Sequence, residues 1–147
     1  MEKFVLDTNI FIEAIRSPKA RAALAEWQRA RAPHLWQHSV VVSELLVGAK
    51  DEASWNRWHE RWVAPAERVH RIVVPGYGAW LRASRIIARL SEAGWIRPGS
   101  IKPSFYNDCL LAATARDHGH MIVTHNHEDF SLIGQVEPEV PTAPPFL

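Results

Sequence analysis

Short apolar runs alternate along this chain with longer stretches of helical period. Residues 3–6, Lys-Phe-Val-Leu, form one such run, closed by Asp7, and predict a buried strand. Ile10, Phe11, Ala14 and Ile15 then share one side of a 3.6-residue period, with Thr8 or Asn9 as the cap of that helix. Ser17-Pro18 breaks it, and a second helix is expected over 19–31, with Ala22, Ala23, Leu24 and Trp27 inward, ended by Pro33. A short strand follows at 35–38, then a helix from Val40 to about Lys50 capped by Ser39, and another over 52–63 stopped near Pro65. Val69 to Val74 alternates as a strand does, and Pro75-Gly76 turns the chain. Residues 79–93 place Ala79, Ala83, Ile86, Ile87 and Leu90 on one side and Arg82, Arg85 and Arg89 on the other. Pro103-Ser104 opens the next helix, which runs to His118 with Gly119 as its stop, and Met121 to Thr124 is the last apolar strand. Short strands alternating with helices predict an α/β fold, with helices on both faces of a mainly parallel sheet. Function in such sheets lies at the carboxyl ends of the strands.

At 147 residues the chain suits one domain, and the boundaries expected are a folded unit over 1–137 and a Pro-rich tail over 138–147, largely irregular or loosely docked. Hydrophobic residues at 47% and charged residues at 22% exclude a disordered, collagenous or coiled-coil chain. No apolar run reaches the ~20 residues of a membrane span, and the first residues lack the long apolar core of a signal peptide. The single Cys109 excludes an internal disulfide, so a cytoplasmic setting is expected. A net charge of +1 is not that of a basic nucleic-acid coat. Most of the cations are nonetheless Arg, whose planar fork suits phosphate, and Arg82, Arg85 and Arg89 form a candidate RNA-binding stripe. Trp55, Trp58 and Trp62, at i, i+3 and i+7, form a stripe that serves either the core or a partner.

Four polar segments remain. Asp7 follows the first strand and so stands at the carboxyl edge. Glu44 sits among apolar neighbours in Ser43-Glu44-Leu45-Leu46-Val47-Gly48. Asp108 shares its helix face with Leu111, Ala112 and Ala115, so its carboxylate tops a buried stripe. Thr124, Asn126 and Asp129 follow the last strand. Convergence of such acids carries a penalty, since two unit charges about 4 Å apart repel by ~4 kcal/mol at an effective dielectric of 20. Retained protons or a divalent cation relieve it, and oxygen donors suit Mg²⁺, with Mn²⁺ as the alternative. With one Cys and no His-x-x-x-His pair on a predicted helix, a zinc site is not expected.

Val5-Leu6-Asp7-Thr8-Asn9, Ser43-Glu44-Leu45-Leu46-Val47-Gly48, Asp108-Cys109-Leu110-Leu111-Ala112-Ala113-Thr114-Ala115 and Ile122-Val123-Thr124-His125-Asn126-His127-Glu128-Asp129-Phe130 resemble the four signature segments of PIN domains. In order and spacing they are most similar to the VapC toxins of bacterial toxin–antitoxin pairs, over residues 4–130. The resemblance implies a three-layer α/β/α fold and Mg²⁺-dependent endoribonuclease activity. It further implies a homodimer, a cognate antitoxin that blocks the site, and tRNA or ribosomal RNA as target. Asp7 and Asp108 would bind the metal, Glu44 would act through water or as a base, and Asn126 would take the fourth position. Thr124 would orient the water shell and Asp129 would add charge. Asn107 beside the third acid, and His125 and His127 around Asn126, depart from the family pattern. Water attack would leave a 5′-phosphate and a 3′-hydroxyl. Two rivals stand beside this reading. A Mg²⁺-dependent phosphatase or phosphotransferase would call for Asp-x-Asp after the first strand, where this chain has Asp7-Thr8-Asn9. A PIN-like RNA- or protein-binding module without catalysis would not need all three acids.

Overall fold

The structure is a computed structural model, and it describes residues 2–138 and 140–144. Five short strands make one parallel sheet: β1 (Lys3–Leu6), β2 (Leu35–His38), β3 (Ile72–Val73), β4 (His120–Val123) and β5 (Thr142–Ala143), in the order β3-β2-β1-β4-β5. Val5 pairs with Trp36 on one side and with Ile122 on the other. The chain steps outward from β1 through β2 to β3, then returns to place β4 on the opposite side of β1. The right-handed crossover rule therefore puts the helices after β1 and β2 on one face and those after β3 and β4 on the other. The reversal makes the carboxyl ends of β1 and β4 the switch point, where such sheets open a crevice. The Asp7 N–H donates to the Val123 carbonyl at 2.9 Å, so the ladder continues one residue past β1 and fixes Asp7 beside Thr124.

The helices are α1 (Thr8–Arg16), α2 (Pro18–Arg31), α3 (Ser39–Val47), α4 (Glu52–Trp58), α5 (Ala64–Arg68), α6 (Tyr77–Glu92), α7 (Pro103–His118) and α8 (His127–Gly134). Helix α7 is the central one. Every residue from Asp108 to Ala115 is buried, as expected of a helix covered on all sides. Truncating Leu110 or Leu111 to Ala would cost ~2–5 kcal/mol. Gly119, at φ +68°, closes α7 in the left-handed conformation and turns the chain into β4.

Several expectations are corrected. Asp7 itself caps α1 through its bond from the Thr8 N–H, so neither Thr8 nor Asn9 is the cap. Helix α3 begins at Ser39 under a cap from the His38 ring and ends at Val47, short of Lys50. Ala22 is exposed and Ala23 half-buried, while Ala20 packs inward with Leu24 and Trp27, the i, i+4, i+7 set that shares one face of α2. Residues 59–63 form a π turn between α4 and α5, and Pro65 lies in the first turn of α5, where it needs no backbone partner. That turn rotates the Trp stripe apart: Trp62 is buried, Trp58 half-buried and Trp55 exposed, stacked on His59 at 5.1 Å. The third strand is only Ile72–Val73, against the 69–74 expected. The tail docks on the sheet, where Thr142 and Ala143 pair with Ile122 and Val123 as the edge strand β5. Residues 139 and 145–147 of that tail lie outside the described residues. No helix among the described residues is long and apolar enough to cross a membrane.

Candidate active site

Four elements deliver the polar groups. The Asp7 carboxylate accepts from the Thr8 N–H at 2.8 Å through one oxygen. Its other oxygen accepts from the Thr124 hydroxyl at 2.8 Å and the Asn9 amide at 3.2 Å. Thr124, wholly buried at the end of β4, also accepts from the Asn126 N–H at 2.8 Å and from Asn9 at 3.2 Å. The Asn9 carbonyl takes the His125 N–H at 3.1 Å. One amide on α1 thus joins Asp7 to the loop after β4. Glu13, one turn later on α1, pairs with the His125 ring.

Glu44 stands on α3, its two oxygens held separately. The Thr8 hydroxyl donates to Oε1 at 2.8 Å and the Asn107 amide to Oε2 at 3.1 Å. Asn107, a departure from the family pattern, therefore links Glu44 to the turn of α7 that carries Asp108. On the far side the Asn126 amide donates to both Asp108, at 3.1 Å, and Asp129, at 2.9 Å. Asn126 also caps α8, its carbonyl accepting the Asp129 N–H at 3.2 Å. The residues after the last strand thus start a helix that the sequence pattern above does not include. An Asn cap with Glu128 and Asp129 in the first turn and Phe130 and Ile133 buried on one face was the available signal.

Electrostatics shows how closely the acids stand. Burial pushes Asp108 up to about 9, reinforced by the charge of Asp7, by a hydrogen bond and charge from Asp129, and by the charge of Glu44. Burial raises Asp7 as well, with the Glu44 charge adding to it, against hydrogen bonds from Thr124, Thr8 and Asn9. Burial, then the charges of Asp108 and Asp129, push the Cys109 thiol up to about 12, so it stays protonated and inert.

The donor set fits a hard divalent cation by its chemistry: carboxylate oxygens, hydroxyls and amides, with carboxylates whose pKa values are raised by burial first and by neighbouring charge second. In the arrangement described, the oxygens are turned to hydroxyl and amide neighbours, and no three His, Cys, Asp or Glu side chains among the described residues are set to hold one ion.

Asp7, Glu44, Asp108, Asn126, Thr124 and Asp129 thus lie in one network. The Arg stripe does not form a unit. Arg82 pairs with the buried Glu137 at 3.6 Å, a carboxylate it shares with Arg116. Arg116 follows Asp108 by eight residues, ~12 Å of helix. Arg85 and Arg89 remain exposed on α6. The positioning roles of Thr8, Asn9 and Asn107 were missed. A short polar side chain one or two residues from an acid was their only mark in the sequence.

The profile of the PIN domain family matches residues 4–135. The chain is 32% identical over 142 residues to the tRNA(fMet)-specific endonuclease VapC of Shigella flexneri, an alignment covering 95% of this chain and 98% of that one. Its fold is similar to that in the DNA-bound VapBC of Salmonella typhimurium, with TM-score 0.72, 23% identity and 98% of each chain covered. It also resembles FitAcB of Neisseria gonorrhoeae, with TM-score 0.68, 19% identity and 95% of each chain covered. This chain belongs to the PIN-domain family and, within it, to the VapC-type endonucleases.

Proposed function

We propose that this protein is a metal-dependent endoribonuclease that acts in the cytoplasm as the toxin of a toxin–antitoxin pair. The observation that carries the reading is the single network joining Asp7, Glu44, Asp108 and Asp129 through Thr8, Asn107, Thr124 and Asn126. A structural cap or a solvated helix face would not bury carboxylates against one another at the switch point of the sheet. Asp7 and Asp108 would hold Mg²⁺ or Mn²⁺, which when bound supplies positive charge for the phosphoryl oxygens and for activating water.

The remaining work falls to the chain. Glu44, held by Thr8 and Asn107, takes the proton of the attacking water as general base. Thr124 holds Asp7 and the Asn126 N–H at fixed positions, and Asn126 keeps Asp108 and Asp129 oriented. Water attacks phosphorus as Glu44 takes its proton, the bond to the 3′-oxygen breaks, and that oxygen takes a proton from solvent, giving a 5′-phosphate and a 3′-hydroxyl. The Shigella relative makes tRNA the first substrate to test.

The partner reading is supported by a groove of about 790 Å³ between α2 and α5. Leu6, Phe11, Trp36 and Trp62 lie among its apolar residues and Arg21, Arg29, Arg61 and Arg71 among its polar ones, with no carboxylate among the described residues that line it. Such a surface suits an amphipathic, acidic segment of an antitoxin. Exposed Val47, Tyr77, Trp80 and Leu81 on α3 and α6 support a homodimer.

The test is cleavage of tRNA by purified protein with Mg²⁺, with chelator, and with Asp7→Asn. Cleavage should require both the ion and Asp7 and leave 5′-phosphate ends. A 2′,3′-cyclic phosphate, or equal cleavage by Asp7→Asn, would overturn the mechanism.

A further inference from the structure

Asp129 belongs to a second recess as well as to the acid network. The segment between α6 and α7 folds beside it and encloses about 380 Å³. That lies near the lower end of small-ligand pockets, roughly 300–1,000 Å³, so the space suits one small ligand rather than a length of chain. Its chemistry is divided. Ile96, Ile101 and Phe105 provide apolar surface. Arg97 and Lys102 provide two cations, and among the described residues neither is paired with a carboxylate. Of the two hydroxyls, Ser100 donates to the Arg97 carbonyl at 3.1 Å, which leaves Ser104 to donate outward. Asp129 closes the recess on the side of the acid network, its Oδ2 accepting from Asn126.

An apolar wall, two unpaired cations, a free hydroxyl and one carboxylate match the parts of a nucleotide. A base packs on Ile and Phe side chains, a phosphate takes Arg, Lys and Ser donors, and a carboxylate accepts from a ribose hydroxyl or an exocyclic amine. Asp129 would repel a phosphate placed beside it, which directs the phosphate to the Arg97 and Lys102 end. We propose that this recess binds one nucleotide of a single-stranded RNA, neighbouring the bond cut at the acid network. The proposal rests on the ribonuclease reading and adds a substrate-holding site to it. It also moves the phosphate-binding cations from the Arg stripe of α6 to the segment before α7.

The experiment uses the full chain carrying Asp7→Asn and a short fluorescein-labelled single-stranded RNA, with binding read by fluorescence anisotropy across a salt series. Adding Arg97→Ala and Lys102→Ala should weaken binding about tenfold or more and flatten log K against log salt by ~0.7, for the one phosphate that the two cations share on a single strand. Exchanging the cations, Arg97→Lys with Lys102→Arg, should restore most of the slope. Removing two distant cations, Lys19→Ala and Lys50→Ala, should leave both readings as they were. In the active protein, Arg97→Ala with Lys102→Ala should raise KM and spare kcat. Unchanged affinity and slope in the doubly truncated protein would overturn the site even if the wild type cleaves RNA. Loss of affinity and slope without any cleavage by the wild type would uphold the site and overturn the nuclease reading. Absence of RNA binding by the Asp7→Asn protein at low salt would overturn both.

Discussion

The carboxyl edge of the sheet and the groove between α2 and α5 lie on either side of Leu6 and solve opposite problems. At the edge, four acids crowd together, and their hydrogen bonds are largely met: Asp7, Thr124 and Asn126 each bond to two or three neighbours. What remains unbalanced there is charge. In the groove the charge is positive and its apolar surface is uncovered. Arg21 and Arg71 spend donors on the carbonyls of Ala14, Ile15 and Ala32, Arg61 lies over Trp62, and none of these cations meets an acid among the described residues. One region needs a cation and the other an anion on an apolar scaffold. The first is suited to an ion and a phosphodiester, the second to another chain.

Asp108→Asn breaks the first half of this comparison most severely. Cleavage should fall by at least about a thousandfold, since an oxygen donor to the ion is lost. Without metal, however, the variant should be the more stable protein. Asp108 keeps its proton up to about 9 in the folded state, against 3.8 for an ordinary aspartate side chain. The folded state therefore binds the extra proton between these values, and stability drains away as pH rises through that window. Thermal melts in chelator should show this decline in the wild type and a flatter profile in Asp108→Asn. A parallel decline in both would remove charge crowding as the cause.

Reversing the groove comes next. Arg29→Glu with Arg61→Glu should weaken capture of the cognate antitoxin by about tenfold or more, because like charges across an interface cost several kcal/mol. Undiminished capture in a titration would deny the groove its partner. A smaller effect is expected from Mg²⁺ itself. At a hundredfold excess over Kd it should stabilise the wild type by ~2.7 kcal/mol, on the order of 5–10 °C in Tm. Asp7→Asn should abolish most of that shift, and a shift of equal size would place the ion elsewhere.

The least effect concerns His38 and His120. Burial holds both at about 4; the charges of His120 and His118 add to it at His38, and those of His118 and Lys3 at His120. The unfolded chain takes up protons near 6.5 while the folded one does not, so stability should fall as pH drops from about 6.5 toward 4. His38→Asn keeps an acceptor for the Val40 N–H that caps α3 and removes one of the two groups, so its acid limb should be shallower.

Local sequence was informative where local forces decide. The strand 3–6, the helix 103–118 with its Gly119 stop, and the three acids could be read because each sits in an apolar pattern that leaves little choice of face. Legibility failed where distant packing sets the outcome. The π turn at 59–63 carries no compositional mark. The two-residue strand β5 exists because β4 offers an open edge, and the pairing of Arg82 with Glu137 joins positions with no sequence relation. At the site the acids were legible but their handlers were not. Thr8, Asn9 and Asn107 act on side chains up to 115 positions away, and nothing near them in the chain announces that reach.

The placement of β4 beside β1 has a consequence for the cell that makes this protein. Asp7 precedes its partner Thr124 by 117 positions, so it is synthesised well before the hydroxyl that holds it. Until that closing stretch emerges, the early strands present an incomplete edge and the acids lack their orienting hydroxyl and amide. A chain that stops short of β4 therefore lacks the hydroxyl that orients Asp7 and the amide that orients Asp108.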